Sequence, residues 1–110
     1  MSHQVIEINE ENFHQEVIEN DSPVLLDIYA EWCNPCKQIQ PAVEQLSEEY
    51  SGRVKVCKAN IEKNSQLAKE YGISALPAFL SFKDGEMINK FIGKRSKDDL
   101  QTDIEELCNG

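Results

Sequence analysis

Apolar residues recur along the chain at two different spacings. Val5, Ile6 and Ile8 make a short strand-like run, and Asn9 can cap a helix whose first turn holds Glu10 and Glu11. Phe13, Val17 and Ile18 give that helix one apolar stripe. A turn over residues 20–23 leads into Val24-Leu25-Leu26-Asp27-Ile28-Tyr29-Ala30. A run this bulky, bounded by turn signals, predicts a central strand buried on both faces. Asp27, in its middle, needs a physical reason.

Helical spacing returns at Ile39, Ala42, Val43, Leu46 and Tyr50 and predicts a long helix over residues 34–50. Pro35 suits its first turn, Pro41 should kink it, and Gly52 ends it. Residues 53–59 read as a strand, and residues 64–71 as a short helix stopped by Gly72. Pro77 opens a strand over residues 78–82, which turns at residues 83–86 into a partner over 87–92. Ser96 and Asp99 resemble a capping box, and Leu100, Ile104 and Leu107 share one face of a last helix. The order β-α-β-α-β-α-β-β-α predicts an α/β fold with a mixed central sheet and helices on both faces. Right-handed crossovers supply the parallel part and the late hairpin the antiparallel part.

A chain of 110 residues predicts one domain over residues 1–110. Its 40% hydrophobic and 28% charged residues suit a soluble globular protein. No apolar run approaches the roughly 20 residues of a membrane helix, so no membrane association is expected. Met1-Ser2-His3-Gln4 has neither a basic nor an apolar leader region, so no secretory signal and a cytoplasmic location are expected. The net charge of −9 argues against nucleic-acid binding. All 11 bases lie within residues 37–97, against seven acids there, while eight acids precede Lys37 and five follow Lys97. Two solvated acidic helices would account for this. The sharper alternative is a less acidic surface around a site in the middle of the chain.

Four cysteines are too few for a disulfide scaffold. Cys33 and Cys36 form a C-x-x-C pair; Cys57 and Cys108 have no near neighbour, and His3 and His14 lie far upstream. The spacing does not support a zinc site within one chain. Cys33 directly follows the buried strand and stands at a helix start, where free N–H groups and the positive dipole end stabilise a thiolate. The thiolate is the species that attacks a disulfide. Cys36, one turn into the helix, can bond back to Cys33 and should be the more buried thiol. Cys33 would form a mixed disulfide with a client, and Cys36 would resolve it. C-x-x-C beside a β-α-β pattern is a recognised signature of thioredoxin-like redox motifs.

The segment Ala30-Glu31-Trp32-Cys33-Asn34-Pro35-Cys36-Lys37 resembles the active-site segment of the thioredoxin family. Asp27, Lys58, Leu76-Pro77, the turn at residues 83–86 and Gly93 also fall where that family's pattern places them. The resemblance spans nearly the whole chain. It departs at Asn34, where the family usually has Gly, at Tyr29 for a common Trp, at Ala78 for a common Thr, and at Lys94 for a small apolar residue. These departures bear on redox potential and partner choice.

The resemblance gives Asp27 a role in moving the Cys36 proton. Burial should raise its pKa. The bland alternative is a structural carboxylate paired with Lys58, which would tune Asp27 in either case. The resemblance also implies a cis Leu76–Pro77 bond in a loop facing the cysteines. Trp32, Pro35, Leu76, Ile92 and Gly93 would then form an apolar contact surface, with the Leu76 backbone pairing with an extended client. Asn34 sits at this surface and could donate a hydrogen bond to the Cys33 sulfur or simply crowd partners. Trp32 could otherwise be a core aromatic. Cys57 reads as a small buried thiol, and Cys108 as a core-edge residue or an exposed thiol able to dimerise. The basic residues of 94–97 read as a solvated loop, or as steering for an acidic partner.

The function this implies is general protein-disulfide reduction, with no bound cofactor, no metal, disulfide-containing client proteins, a thioredoxin reductase as electron donor, and a monomeric chain. The alternatives are a specialised protein serving one reductase or client, a binding subunit without turnover, and two chains sharing a four-thiolate metal site.

Overall fold

The computed structural model describes residues 5–109, so the N-terminal segment read for a secretory signal and His3 lie outside the described residues. Five strands, β1 (Ile6–Ile8), β2 (Val24–Tyr29), β3 (Lys55–Asn60), β4 (Ala78–Lys83) and β5 (Glu86–Ile92), form one sheet in the order β1-β3-β2-β4-β5. The first three are mutually parallel, and β4 runs antiparallel to both β2 and β5. Three α-helices pack on it: α1 (Asn34–Glu49), α2 (Ser65–Glu70) and α3 (Lys97–Asn109).

Side chains alternate across β2. Val24, Leu26 and Ile28 enter one core with Val17, Cys57, Leu67, Leu80 and Phe82, while Leu25 enters the other with Val43, Leu46, Phe79, Leu100, Ile104 and Leu107. Strand β2 is therefore covered on both faces, as its unbroken apolar run requires. The period of two puts Asp27 on the Leu25 side, beneath α1. The helix α1 runs unbroken through Pro41, and Gly52 follows it at φ 88°. Asp84 and Gly85 take φ 53° and 81° in the β4–β5 turn, the pair of positive values that a two-residue hairpin needs. Ser96 and Asp99 do form a capping box: the Asp99 N–H donates to Ser96 Oγ at 3.0 Å and the Ser96 N–H to Asp99 Oδ2 at 3.1 Å.

The first expected helix is corrected. Asn9 Oδ1 accepts from the Glu11 and Asn12 N–H groups, but the chain continues as a turn and then a five-residue π-helix, His14–Ile18. The Glu19 N–H bonds to the His14 carbonyl, the wider i→i+5 spacing of that helix type. Val17 is buried, and Phe13 packs its ring against Tyr71 and Phe82. The Lys94–Lys97 segment is also more engaged than a solvated loop. Arg95 Nη2 lies 2.6 Å and 2.8 Å from the two carboxylate oxygens of buried Asp103, its guanidinium stacks on Phe91, and Lys97 reaches Gln45 and Glu49.

Candidate active site

The site grows from the junction of β2 and α1. Tyr29 ends the strand, and Cys33 is the N-cap of the helix, with extended backbone (φ −90°, ψ 105°). Its sulfur accepts a hydrogen bond from the Cys36 N–H at 3.2 Å, one of the amides a helix start leaves unpaired. Pro35 occupies the first turn, where no N–H is missed. Three residues of helix bring the two Cα atoms to 5.3 Å, and the sulfurs are joined in a disulfide. Cys36 is the more buried thiol, as expected, but the contrast is slight: Cys33 is 4% and Cys36 2% exposed. Position distinguishes them instead. Cys33 caps the helix beside Trp32, which is 67% exposed and so no core aromatic, whereas Cys36 lies inside the helix and lines a cavity of about 340 Å³.

The other expected contact residues meet here from three segments. Leu76 packs against the cluster of Ala30, Cys33 and Cys36. The Leu76–Pro77 peptide is cis. The Gly93 N–H donates to the Pro77 carbonyl at 2.7 Å, tying the end of β5 to that loop, and Ile92 is exposed beside it. Pro35, Pro77 and Lys94 line one small cavity. Asn34 is exposed, and among the described residues its side chain makes no hydrogen bond to the Cys33 sulfur; the donor there is the Cys36 amide.

Asp27 is fully buried, and neither of its carboxylate oxygens has a hydrogen-bond partner among the described residues. Desolvation pushes its pKa from 3.8 up to about 7, against the opposing pull of Lys58 and with a further push from Glu7. Lys58 is the register partner of Asp27, yet its ion pair is with Glu7 of β1, at 3.9 Å. The bland reading of Asp27 as a carboxylate paired with Lys58 is therefore corrected. Glu7 escaped the sequence reading. It also accepts from the Tyr29 hydroxyl at 3.0 Å on both oxygens. The departure at Tyr29 was the available signal, since a Trp there has no hydroxyl to give. The remaining thiols lie apart. Cys57 is buried in β3, which pushes its pKa up to about 12, and Cys108 is half-buried at the edge of the α1–α3 core. Among the described residues no three His, Cys, Asp or Glu side chains are grouped so as to hold a metal.

A family model described as thioredoxin matches residues 4–106. The chain belongs to the thioredoxin family. It is 39% identical over 100 residues to thioredoxin of Pseudomonas aeruginosa, covering 91% of this chain and 93% of that one. Thioredoxin of Porphyra purpurea is 41% identical over 100 residues, covering 91% and 94%, and that of Buchnera aphidicola 43% over 102 residues, covering 93% and 94%. Thioredoxins are protein-disulfide oxidoreductases, and this family member carries their redox pair as Cys33 and Cys36. Disulfide-containing proteins and reductases are the family's partners in general. Among the described residues no helix is long and apolar enough to cross a membrane.

Proposed function

We propose that the chain is a general protein-disulfide reductase in which Cys33 attacks and Cys36 resolves. The supporting observation is the hydrogen bond from the Cys36 amide to the Cys33 sulfur at the helix start. That donor, with the helix dipole, lowers the cost of a thiolate at Cys33. The Cys33 thiolate attacks one sulfur of the client disulfide, forming a mixed disulfide and expelling the other sulfur as a thiolate. The Cys36 thiol then loses its proton and attacks the Cys33 sulfur. The client leaves with both sulfurs reduced, and the chain is left with the Cys33–Cys36 disulfide. Two electrons from a reductase restore the dithiol.

Asp27 takes the Cys36 proton in this reading. Its raised pKa near 7 lets it gain or lose a proton at neutral pH. Lys58 keeps that value from rising further. Trp32, Asn34, Pro35, Leu76, Pro77, Ile92 and Gly93 form the surface on which an extended client segment lies. The chain acts as one monomeric thioredoxin domain in the cytoplasm and draws electrons from a thioredoxin reductase.

Trapping tests the reading. Immobilised Cys36→Ser protein, exposed to a cell lysate, should retain many unrelated proteins that dithiothreitol releases. Retention of a single protein would favour the specialised alternative, and no thiol-dependent retention would contradict the reading.

A further inference from the structure

The register of the sheet lines up three charged side chains that are far apart in sequence. Glu7 on β1 pairs with Lys58 on β3, and Lys58 pairs with Asp27 on β2. A cation in the middle of such a row is available to either carboxylate. Two observations say which one has it. Lys58 Nζ lies 3.9 Å from Glu7 Oε1, and among the described residues Lys58 makes no ion pair with Asp27. Glu7 is in turn held by the Tyr29 hydroxyl, and the Lys58 ammonium stands 5.8 Å above the Tyr29 ring.

We propose that Glu7 is a positioning residue that sets the protonation of Asp27: by holding Lys58 toward β1, with Tyr29 as its anchor, it withholds the ammonium from the buried carboxyl. The inference rests on the reading of Asp27 as the group that moves the Cys36 proton. The competition has a clear direction. Glu7 is half exposed, whereas Asp27 is fully buried and must be desolvated to ionise. Full engagement of Lys58 with Asp27 would favour the charged carboxylate and spoil it as a neutral-pH proton carrier. Glu7 acts against that in two ways, by occupying Lys58 and by adding a negative charge of its own.

The other titratable groups around this row are few. Tyr29 and Glu31 flank it from the end of β2 and the following loop, and Cys36 and Lys37 border the same cavity from α1. Lys58 and Tyr29 line that cavity too, so the row opens toward the resolving cysteine. From β4 the register partner of Asp27 is Phe79, which does not titrate.

The test is the titration of the Asp27 carboxyl, followed by carbon NMR in the oxidised protein, where no turnover is needed. Glu7→Gln should lower the Asp27 midpoint by roughly one unit, as expected when an opposite charge is released toward a carboxyl. Tyr29→Phe should lower it by less, and Lys58→Met should raise it. In the Lys58→Met background, Glu7→Gln should move the midpoint by less than half as much, because the cation through which Glu7 acts is gone. An equal shift in both backgrounds would overturn the proposal, leaving Glu7 as a distant charge only; so would no shift in either. The pH profile of turnover separates this inference from the reading beneath it. If Glu7→Gln moves both the titration and the profile, both stand. If the titration moves and the profile does not, Glu7 sets Asp27 as proposed and the catalytic reading of Asp27 fails.

Discussion

Replacing Asp27 by Asn keeps the side-chain shape and removes a buried group whose charge changes near neutral pH. The unfolded chain ionises Asp27 near pH 3.8, and the folded chain near 7. Each tenfold change in the ionisation constant is about 1.4 kcal/mol, so an ionised Asp27 costs the fold on the order of 4 kcal/mol. Between those two values the folded state keeps a proton that the unfolded state has lost. Stability therefore falls as pH rises from about 4 to about 7 and levels off above about 8. A loss of this size matters in a domain whose total stability is about 5–15 kcal/mol. Asn cannot titrate, so its fixed packing and hydrogen-bonding difference shifts the stability curve equally at every pH. Urea unfolding of both oxidised proteins by circular dichroism, at intervals from pH 4 to 8, measures the difference. Asp27→Asn should gain on the parent by about 3–4 kcal/mol across that range while slowing the step that needs the Cys36 proton moved. Parallel stability curves would refute the reasoning, because they would mean that Asp27 ionises alike in the folded and unfolded chains.

Three further changes test separate parts of the structure. Asn34→Gly should shift the reduction potential by less than about 15 mV, about threefold in equilibrium constant, because the Cys36 amide supplies the hydrogen bond to Cys33. A larger shift in a glutathione redox buffer would restore an electrostatic role for Asn34. Asp103→Ala leaves the partly buried Arg95 guanidinium unpaired and should cost about 1–3 kcal/mol in denaturant unfolding; a loss under about 0.5 would make that ion pair incidental. Gly85→Ala forces a side chain into φ 81° with its Cβ 3.1 Å from the Ile18 carbonyl oxygen, and should cost about 1–2 kcal/mol by thermal or urea unfolding; an unchanged midpoint would show that the turn relaxes freely.

The sequence made most of this fold legible because its signals are local. An unbroken apolar run marks β2, a helical stripe ending at Gly52 marks α1, and Asp84-Gly85 and Ser96 with Asp99 mark a hairpin and a cap. The family's motif did the same for the dithiol and for the cis Leu76–Pro77 bond, which composition and spacing alone would have left trans. What escaped depends on which strands become neighbours. Glu7 looks like an ordinary exposed acid until β3 enters between β1 and β2 and sets Lys58 beside it. Arg95 lies in the loop before α3 and Asp103 inside that helix, so their meeting depends on how the loop folds back and not on a period within one element. The π-helix at His14–Ile18 is hidden in the sequence because the apolar stripe of Phe13, Val17 and Ile18 also suits an α-helix. In the structure it spans five residues, with Phe13 just before it packed on Tyr71 and Phe82.

The division of labour between the cysteines is the central claim, and reduction of insulin disulfides by the pre-reduced protein, with dithiothreitol as electron source, tests it most directly. Parent, Cys33→Ser and Cys36→Ser proteins are compared at pH 7 for turnover with dithiothreitol, and, after pre-reduction and removal of dithiothreitol, for mixed disulfides by mass spectrometry of the products. The expected results are catalytic turnover by the parent, no thiol exchange at the active site by Cys33→Ser, and a stoichiometric Cys33–insulin mixed disulfide with Cys36→Ser. A Cys33→Ser protein that still forms a mixed disulfide through Cys36, while Cys36→Ser forms none, would contradict the claim and reverse the two roles.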